Sequence, residues 1–246
     1  MSNLYIFSIQ KWGEKLKYIS GEWSELHKEL GSIIRKKDNF DEAVELFLNI
    51  HSQLHSYAVS HNESNYINPL IDDLKENEYK IMPNRTDETM AWAMWHIARI
   101  EDLTMNILIA NEKQVFNNEW KTRMNVSISD TGNAMTDDEI MKLSREICVE
   151  ELLKYRDTVG LRTQEIVKIL KPEDMKKKIP QERLNQVIDT GGLTEHKDSI
   201  WLLDYWGGKD YAGLLLMPPT RHLMMHINDC YKWKESIRTK KKLYYI

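Results

Sequence analysis

Apolar side chains recur at helical spacing through the first half of the chain. Between Asp41 and Ser60 they lie three and four positions apart, which predicts a helix with acidic residues in its first turn. The most apolar segment follows, and Thr86 is the predicted N-cap of a buried helix that ends near Asn111. The pattern therefore predicts two long helices before residue 112.

The second half of the chain holds two further long helical patterns. Thr136 and Glu139 form a T-x-x-E capping box, in which each side chain satisfies a backbone N–H of the other residue. The helix that it opens is predicted to reach Lys171, and Gly160 is the point where a break would fall. A last helix is expected to start near Pro219, because proline is favoured in first turns, and to run to about residue 240.

Four long helices with long connections favour an all-α fold, and specifically a four-helix bundle. Ten glycines and six prolines are too few for the many turns of a sandwich or barrel. The first 35 residues are expected to add a helix outside the bundle. Residues 114–135 are predicted to form a loop, and the charged stretch 172–199 is predicted to contain one short helix over 181–188.

No flexible linker divides the apolar segments, so residues 1–246 are predicted to form one domain with the bundle core at about 41–240. Eight Trp, eleven Tyr and twelve Met exclude a disordered chain. The net charge of −4 argues against nucleic-acid binding, and no apolar run has the length of a membrane span. Cys148 and Cys230 do not make a disulfide framework. We therefore expect a cytoplasmic protein with no nucleic-acid or membrane partner.

Histidine spacing is the strongest chemical signal in the sequence. His222 and His226 lie four apart in the last predicted helix, which places both rings on one face as two ligands of one metal ion require. His96 lies in the most apolar helix, where an unpaired polar group costs about 1–3 kcal/mol. A shared metal ion would satisfy all three rings.

Spacing alone leaves other interpretations open. A single histidine in an apolar helix is more often a hydrogen-bonded core residue than a metal ligand, and an H-x-x-x-H pair arises by chance in many helical proteins. His51 and His55 form a second such pair. Three roles are open to this pair: it supplies the metal ligands instead, it orients the ligands through hydrogen bonds, or it packs in the core.

Two segments resemble the DinB-like (DinB/YfiT-like) superfamily of metalloenzymes. The segment AWAMWHIARIEDLTMN, residues 91–106, is similar to the family's second helix, in which a W-x-x-H pattern supplies the first metal histidine. The segment LLLMPPTRHLMMHIND, residues 214–229, is similar to the family's last helix with its H-x-x-x-H pair. The resemblance extends over residues 41–240, although residues 171–213 match no part of the family pattern.

The resemblance implies an up-down-down-up four-helix bundle in which His96, His222 and His226 bind a divalent metal ion. Zinc or nickel is the expected metal, and iron or manganese is a further candidate. Because relatives include thiol-dependent S-transferases, the resemblance also implies a small-molecule substrate, with a low-molecular-weight thiol as the first candidate. A homodimer is the corresponding expectation for assembly.

Charged residues near the three histidines are candidates for catalysis or ligand support. An acidic group one turn away from a ligand orients its imidazole in many metal sites, and an arginine binds substrate carboxylates. Surface charge, an ion pair between helices or a buried inert thiol is the alternative for each of them. The candidates are Arg99, Glu101 and Asp102, beyond His96, and Arg221, Asp229 and Cys230 in the last helix.

Two functional hypotheses follow. In the first, the chain is a metal-dependent enzyme, either a thiol-dependent S-transferase or a hydrolase, since a metal ion with open positions lowers the pKa of bound water or thiol to near 7. In the second, it is a non-catalytic, stress-related helical bundle that acts by association, with structural metal or none. Motifs of di-iron bundles, zincins and P-loops do not occur in the sequence.

Overall fold

The computed structural model describes residue 19, residues 21–240 and residues 242–244. Within them the chain is all-helical and forms no β-strand, although an isolated antiparallel bridge joins Lys178 and Asp210. The α-helices, in chain order, are α1 (Gly21–Ile33), α2 (Phe40–Ser52), α3 (Tyr57–Ser60), α4 (Asn68–Ile71), α5 (Met90–Asp102), α6 (Asn118–Arg123), α7 (Asp137–Glu146), α8 (Val149–Ile169), α9 (Gln181–Asp189), α10 (Lys197–Gly207), α11 (Tyr211–Leu215) and α12 (Leu223–Thr239).

Two wider, π-helical segments extend the longest apolar helices. Leu103–Ala110 continues α5, and Met217–His222 leads into α12. Single 3-10 turns occupy Lys37–Asn39, Glu76–Lys80 and Pro172–Lys176. Among the residues that the structure describes, no helix has both the length and the apolar character needed to cross a bilayer.

Helix α5 forms the centre of the fold. All of its side chains are buried, and it packs against α7, α8 and α12. The helix begins later than the sequence indicates, because Thr89 and not Thr86 is the N-cap and its hydroxyl accepts from the Trp92 N–H. The predicted end is confirmed, since the π-helical continuation stops at Asn111 in a left-handed conformation.

Helices α2 and α8 complete the core around α5. Helix α2 packs against α8 and α1, and the Trp23 indole of α1 donates to the Ile50 carbonyl of α2 at 3.1 Å. The expected N-terminal helix is therefore confirmed as α1, while residues 1–18 lie outside the described residues. The single helix predicted over residues 41–60 is wrong, because α2 ends at Ser52 and Ser56 caps the separate short helix α3.

The helix predicted from residue 137 to Lys171 is interrupted, but not at Gly160. The capping box of Thr136 and Glu139 opens α7 as expected, and extended backbone at Ile147 and Cys148 separates α7 from α8. At this break the Cys148 N–H donates to the Met124 carbonyl at 2.9 Å, which replaces a bond of the helical ladder. Gly160 lies inside the uninterrupted helix α8.

The long connections contain more structure than the sequence pattern indicates. The loop predicted over residues 114–135 includes α6, which Asn117 caps by accepting from the Trp120 N–H. The short helix predicted over 181–188 is confirmed as α9, and α10 and α11 follow it. The last helix starts with the π-helical segment, whose Pro218 and Pro219 cannot donate to an α-helical ladder.

Candidate metal centre

His96, His222 and His226 converge in the interior, where α5 meets the start of α12. The Nε2 atoms of His96 and His222 lie 3.1 Å apart. The ring of His226 lies 4.8 Å from that of His96 and 4.7 Å from that of His222, measured between centroids. Each ring offers one nitrogen, and these nitrogens all lie within 4.8 Å of one another. The three histidines that the sequence singles out therefore form one cluster.

A backbone carbonyl determines which nitrogen of His96 faces the cluster. Nδ1 of His96 lies 2.8 Å from the carbonyl oxygen of Thr131. Because that oxygen can only accept, Nδ1 carries the proton and Nε2 presents its lone pair to His222. This is the tautomer and orientation that a metal-binding histidine needs.

Consecutive carbonyls of one loop receive the polar side chains of α5. The indole N–H of Trp95 donates to Asp130 at 3.0 Å, and that of Trp92 donates to Gly132 at 3.1 Å. The Trp92 ring also stacks on His96, with centroids 4.6 Å apart and planes 9° from parallel. These contacts hold the His96 ring in place from two sides.

Burial keeps the three rings neutral. It lowers the pKa of His96 to about 3, with a further contribution from His226, and lowers the pKa of His226 to about 4. Burial and the two neighbouring rings hold the pKa of His222 well below its usual value. All three imidazoles are therefore in the form that binds metal ions at pH 7.

The donor set and geometry fit a first-row transition metal. Two nitrogens bound to one zinc at about 2.1 Å lie roughly 3.0–3.4 Å apart, and the 3.1 Å between His96 and His222 is in that range. Nδ1 of His222 and Nδ1 of His226 are buried and have no hydrogen-bond partner among the described residues. Imidazole suits zinc, nickel and iron, whereas manganese prefers oxygen ligands.

The site is more open on one side. His96 is buried, but His222 and His226 are only half-buried, and Arg221 beside them is exposed. A ligand reaching the cluster from solvent would therefore arrive along the start of α12.

The second histidine pair forms a separate cluster with Glu101. Nε2 of His51 lies 2.8 Å from Oε1 of Glu101, and Nε2 of His55 lies 3.3 Å from Oε2. All three side chains are buried. Glu101, one of the acidic candidates, thus contacts His51 and His55.

Arg99 and Asp102 belong to a buried network that connects α5 to α8 and to the loop that follows residue 110. They pair at 3.0 Å, and both contact the Tyr155 hydroxyl, from which Asp102 accepts at 2.6 Å. Asp102 also accepts from the backbone N–H groups of Val115 and Phe116. Both residues therefore have a structural role, since they connect α5 to its neighbours.

The candidates on α12 lie in different surroundings. Asp229 pairs with Lys232 at 2.8 Å near the surface, and Arg221 is exposed. Cys230 is buried and reduced, and burial raises the pKa of its thiol. It is not among the groups of described residues that converge on a common point.

Sequence reasoning missed the role of Thr131 and the contact of Glu101 with the second histidine pair. Thr131 acts through its carbonyl, so its side-chain type carries no signal. Glu101 had a weak signal, since a charged residue in the most apolar helix requires a buried partner.

No protein-family model matches the chain, and no curated protein sequence matches it at a significant level.

Proposed function

We propose that this all-helical chain is a DinB-like metalloprotein, built on a four-helix bundle, in which His96, His222 and His226 bind one divalent metal ion. The observation that carries the proposal is the convergence of three neutral imidazoles, with the Thr131 carbonyl setting the tautomer of His96. Zinc or nickel is the metal that we propose.

We further propose that the bound metal supports thiol-dependent S-transfer or hydrolysis. When bound, the metal supplies a site at which a thiol or water loses its proton near neutral pH. Three protein ligands leave further positions open, and the half-buried rings of His222 and His226 give a small molecule access to them.

The chain's own residues then have defined tasks. The Thr131 carbonyl holds the Nδ1 proton of His96, so that ring cannot rotate without breaking the bond. Trp92 covers the inner side of the site by stacking on His96 and meeting the edge of His226 at 5.9 Å. We propose that Arg221, which is exposed and adjacent to His222 in the sequence, binds a substrate carboxylate with two N–H donors.

Metal analysis of the purified protein tests the foundation of this proposal. We expect His222→Ala to lose one metal equivalent per chain relative to wild type. His61→Asn is the matched control, because His61 is an exposed turn residue with φ of 55°, a conformation that asparagine tolerates. Equal metal content in wild type and His222→Ala would overturn the proposal.

Activity assays then separate the two reactions. Wild type, loaded with zinc or nickel, is assayed at pH 7 with a panel of low-molecular-weight thiols and electrophiles, and separately with ester and amide substrates. We expect turnover in one panel that His222→Ala abolishes and that His61→Asn retains. Folded, metal-loaded wild type without turnover in either panel would favour a non-catalytic bundle.

A further inference from the structure

A second group of buried ligands lies between α2, α5 and α8. His51 and His55 come from the C-terminal end of α2 and the turn after it, and Glu101 comes from α5. The Thr163 hydroxyl of α8 donates to Oε1 of Glu101 at 2.7 Å. His51 and His55 are 0% exposed and Glu101 is 1% exposed, so water does not solvate this carboxylate.

Two atoms in this cluster face each other without forming a hydrogen bond. Nε2 of His55 and Oε2 of Glu101 lie 3.3 Å apart, yet neither has a hydrogen-bond partner among the described residues. The two groups attract each other as an ion pair, but a buried polar atom without a hydrogen bond costs about 1–3 kcal/mol. An ion between them would satisfy both atoms.

We propose that His51, His55 and Glu101 bind a second divalent transition-metal ion. Two imidazoles and a carboxylate form a donor set that suits zinc, iron and nickel. The 3.3 Å between Nε2 of His55 and Oε2 of Glu101 lies within the separation of neighbouring ligands around one such ion, roughly 3.0–3.4 Å. The 2.8 Å between Nε2 of His51 and Oε1 is a hydrogen bond, so His51 would bind the ion through Nε2 after its proton moves to the unpartnered Nδ1. The Glu101 charge would offset part of the charge of the ion.

This second ion has a structural role. It joins the end of α2 to the C-terminal end of α5, and Thr163 orients the carboxylate from α8. Because its ligands are fully buried, the ion exchanges only when the core opens locally. The half-buried histidines at positions 222 and 226 permit much faster exchange at the first site.

The second site uses residues different from those of the proposed function. Variants at each site therefore test the two proposals independently. Zinc content is measured after dialysis in wild type, Glu101→Gln, His222→Ala and the control His61→Asn. Glu101→Gln keeps the shape of the side chain and an oxygen for Thr163 and His51, but removes the charge. We expect two equivalents in wild type and His61→Asn, and one in each of the other two variants.

The zinc content of the variants distinguishes the two sites. If Glu101→Gln binds as much zinc as wild type, the second site is overturned, and the cluster is a buried ion pair without metal. If one equivalent is lost in Glu101→Gln but none in His222→Ala, the second site stands and the proposed function fails. A single equivalent in wild type that both variants abolish overturns the two-site arrangement.

Wild-type protein alone provides a second test, which does not depend on how the variants fold. The zinc-loaded protein is mixed with excess chelator and a zinc indicator, and release is followed in time. We expect two phases of equal amplitude, at least tenfold apart in rate, and the slow phase should accelerate in mild urea. Release of all bound zinc in a fast phase that mild urea does not accelerate would overturn the second site.

Discussion

The imidazole of His55 packs directly against Gly160 of α8. A β-carbon at position 160 would lie 2.6 Å from Nδ1 of His55 and 2.7 Å from Cε1, closer than side chains approach each other. The glycine interrupts no helix, and its lack of a side chain lets the buried ring reach Glu101. Gly160, which in the sequence suggests a helix break, thus allows His55 to pack closely against α8.

Gly160→Ala should therefore destabilise the protein although alanine is the better helix former. The gain in helix propensity is about 1 kcal/mol, but the enclosed His55 ring has to move, and such overpacking costs about 1–3 kcal/mol. We expect a lower urea midpoint and weaker zinc binding at the second site.

Gly31→Ala is the matched control for this substitution. Gly31 lies in α1, and a β-carbon there would meet only the Leu216 side chain at 4.0 Å. We expect this variant to gain about 0.5–1 kcal/mol in the free energy of unfolding. If both variants gain stability, the His55 ring does not pack against Gly160.

Gly132→Ala should weaken metal binding at the first site. Gly132 has φ of +75°, and a β-carbon would lie 2.8 Å from Nε1 of Trp92. The substitution would shift the loop that carries the Thr131 carbonyl and release the His96 ring. Loss of such support typically costs 10–100-fold in metal affinity, which a competition titration with a zinc indicator measures.

Gly191→Ala separates this effect from backbone strain. Gly191 has φ of +69°, but the nearest atom to a β-carbon there is Cβ of Ser129 at 3.6 Å. Both variants should lose stability through the left-handed conformation, of order 1–2 kcal/mol. Only Gly132→Ala should lose zinc affinity, and equal affinities in the two variants would contradict the role of the loop.

Asp102→Ala tests whether Asp102 is structural or supports the metal centre. Removing it leaves the buried Arg99 without its ion-pair partner, a change that costs about 3–5 kcal/mol. Asp229→Ala is the comparison, because it breaks a pair with Lys232 near the surface that is worth less than about 1 kcal/mol. Urea unfolding and zinc content are measured for both variants.

We expect Asp102→Ala to lose stability and to keep both metal equivalents while folded. A stable Asp102→Ala variant that has lost zinc would show instead that the carboxylate supports the histidines. Loss of zinc in Asp229→Ala would assign that role to the residue on α12.

Glu88 should make stability fall as pH rises. Burial raises the pKa of Glu88 from 4.5 to about 7, and the charges of Asp229 and Asp87 add to the effect. Between these pH values the folded protein keeps a proton that the unfolded chain has released, so the free energy of unfolding decreases as pH rises from 4.5 to 7. Glu88→Gln should remove this decrease and be more stable than wild type at pH 8.

The control for this effect is Glu45→Gln, which removes the same charge from an exposed position on α2. Thermal or urea unfolding at pH 5 and pH 8 gives the comparison. A Glu88→Gln variant with the same pH dependence as wild type would contradict the inferred burial of the Glu88 carboxyl.

The sequence predicted helix boundaries best where the signal depends only on residues close by in the chain. The Thr136 and Glu139 capping box and the end of the apolar run at Asn111 are recognisable because each depends on neighbours within a few residues. The break at Cys148 was missed because its N–H bonds to Met124, which lies 24 positions earlier in the chain. The separation of α2 from α3 was missed although Ser56, the cap of α3, is a local signal.

The sequence by itself determined that this chain is helical, because helical spacing is a local pattern. Spacing left two H-x-x-x-H pairs open as metal ligands, and the resemblance to the DinB-like superfamily favoured His96, His222 and His226. Only the tertiary structure decided which faces meet. It placed the Thr131 carbonyl against Nδ1 of His96, and it brought Glu101 of α5 to His51 and His55 at the end of α2. Such contacts depend on how distant elements pack around buried polar groups, and no local pattern encodes that packing.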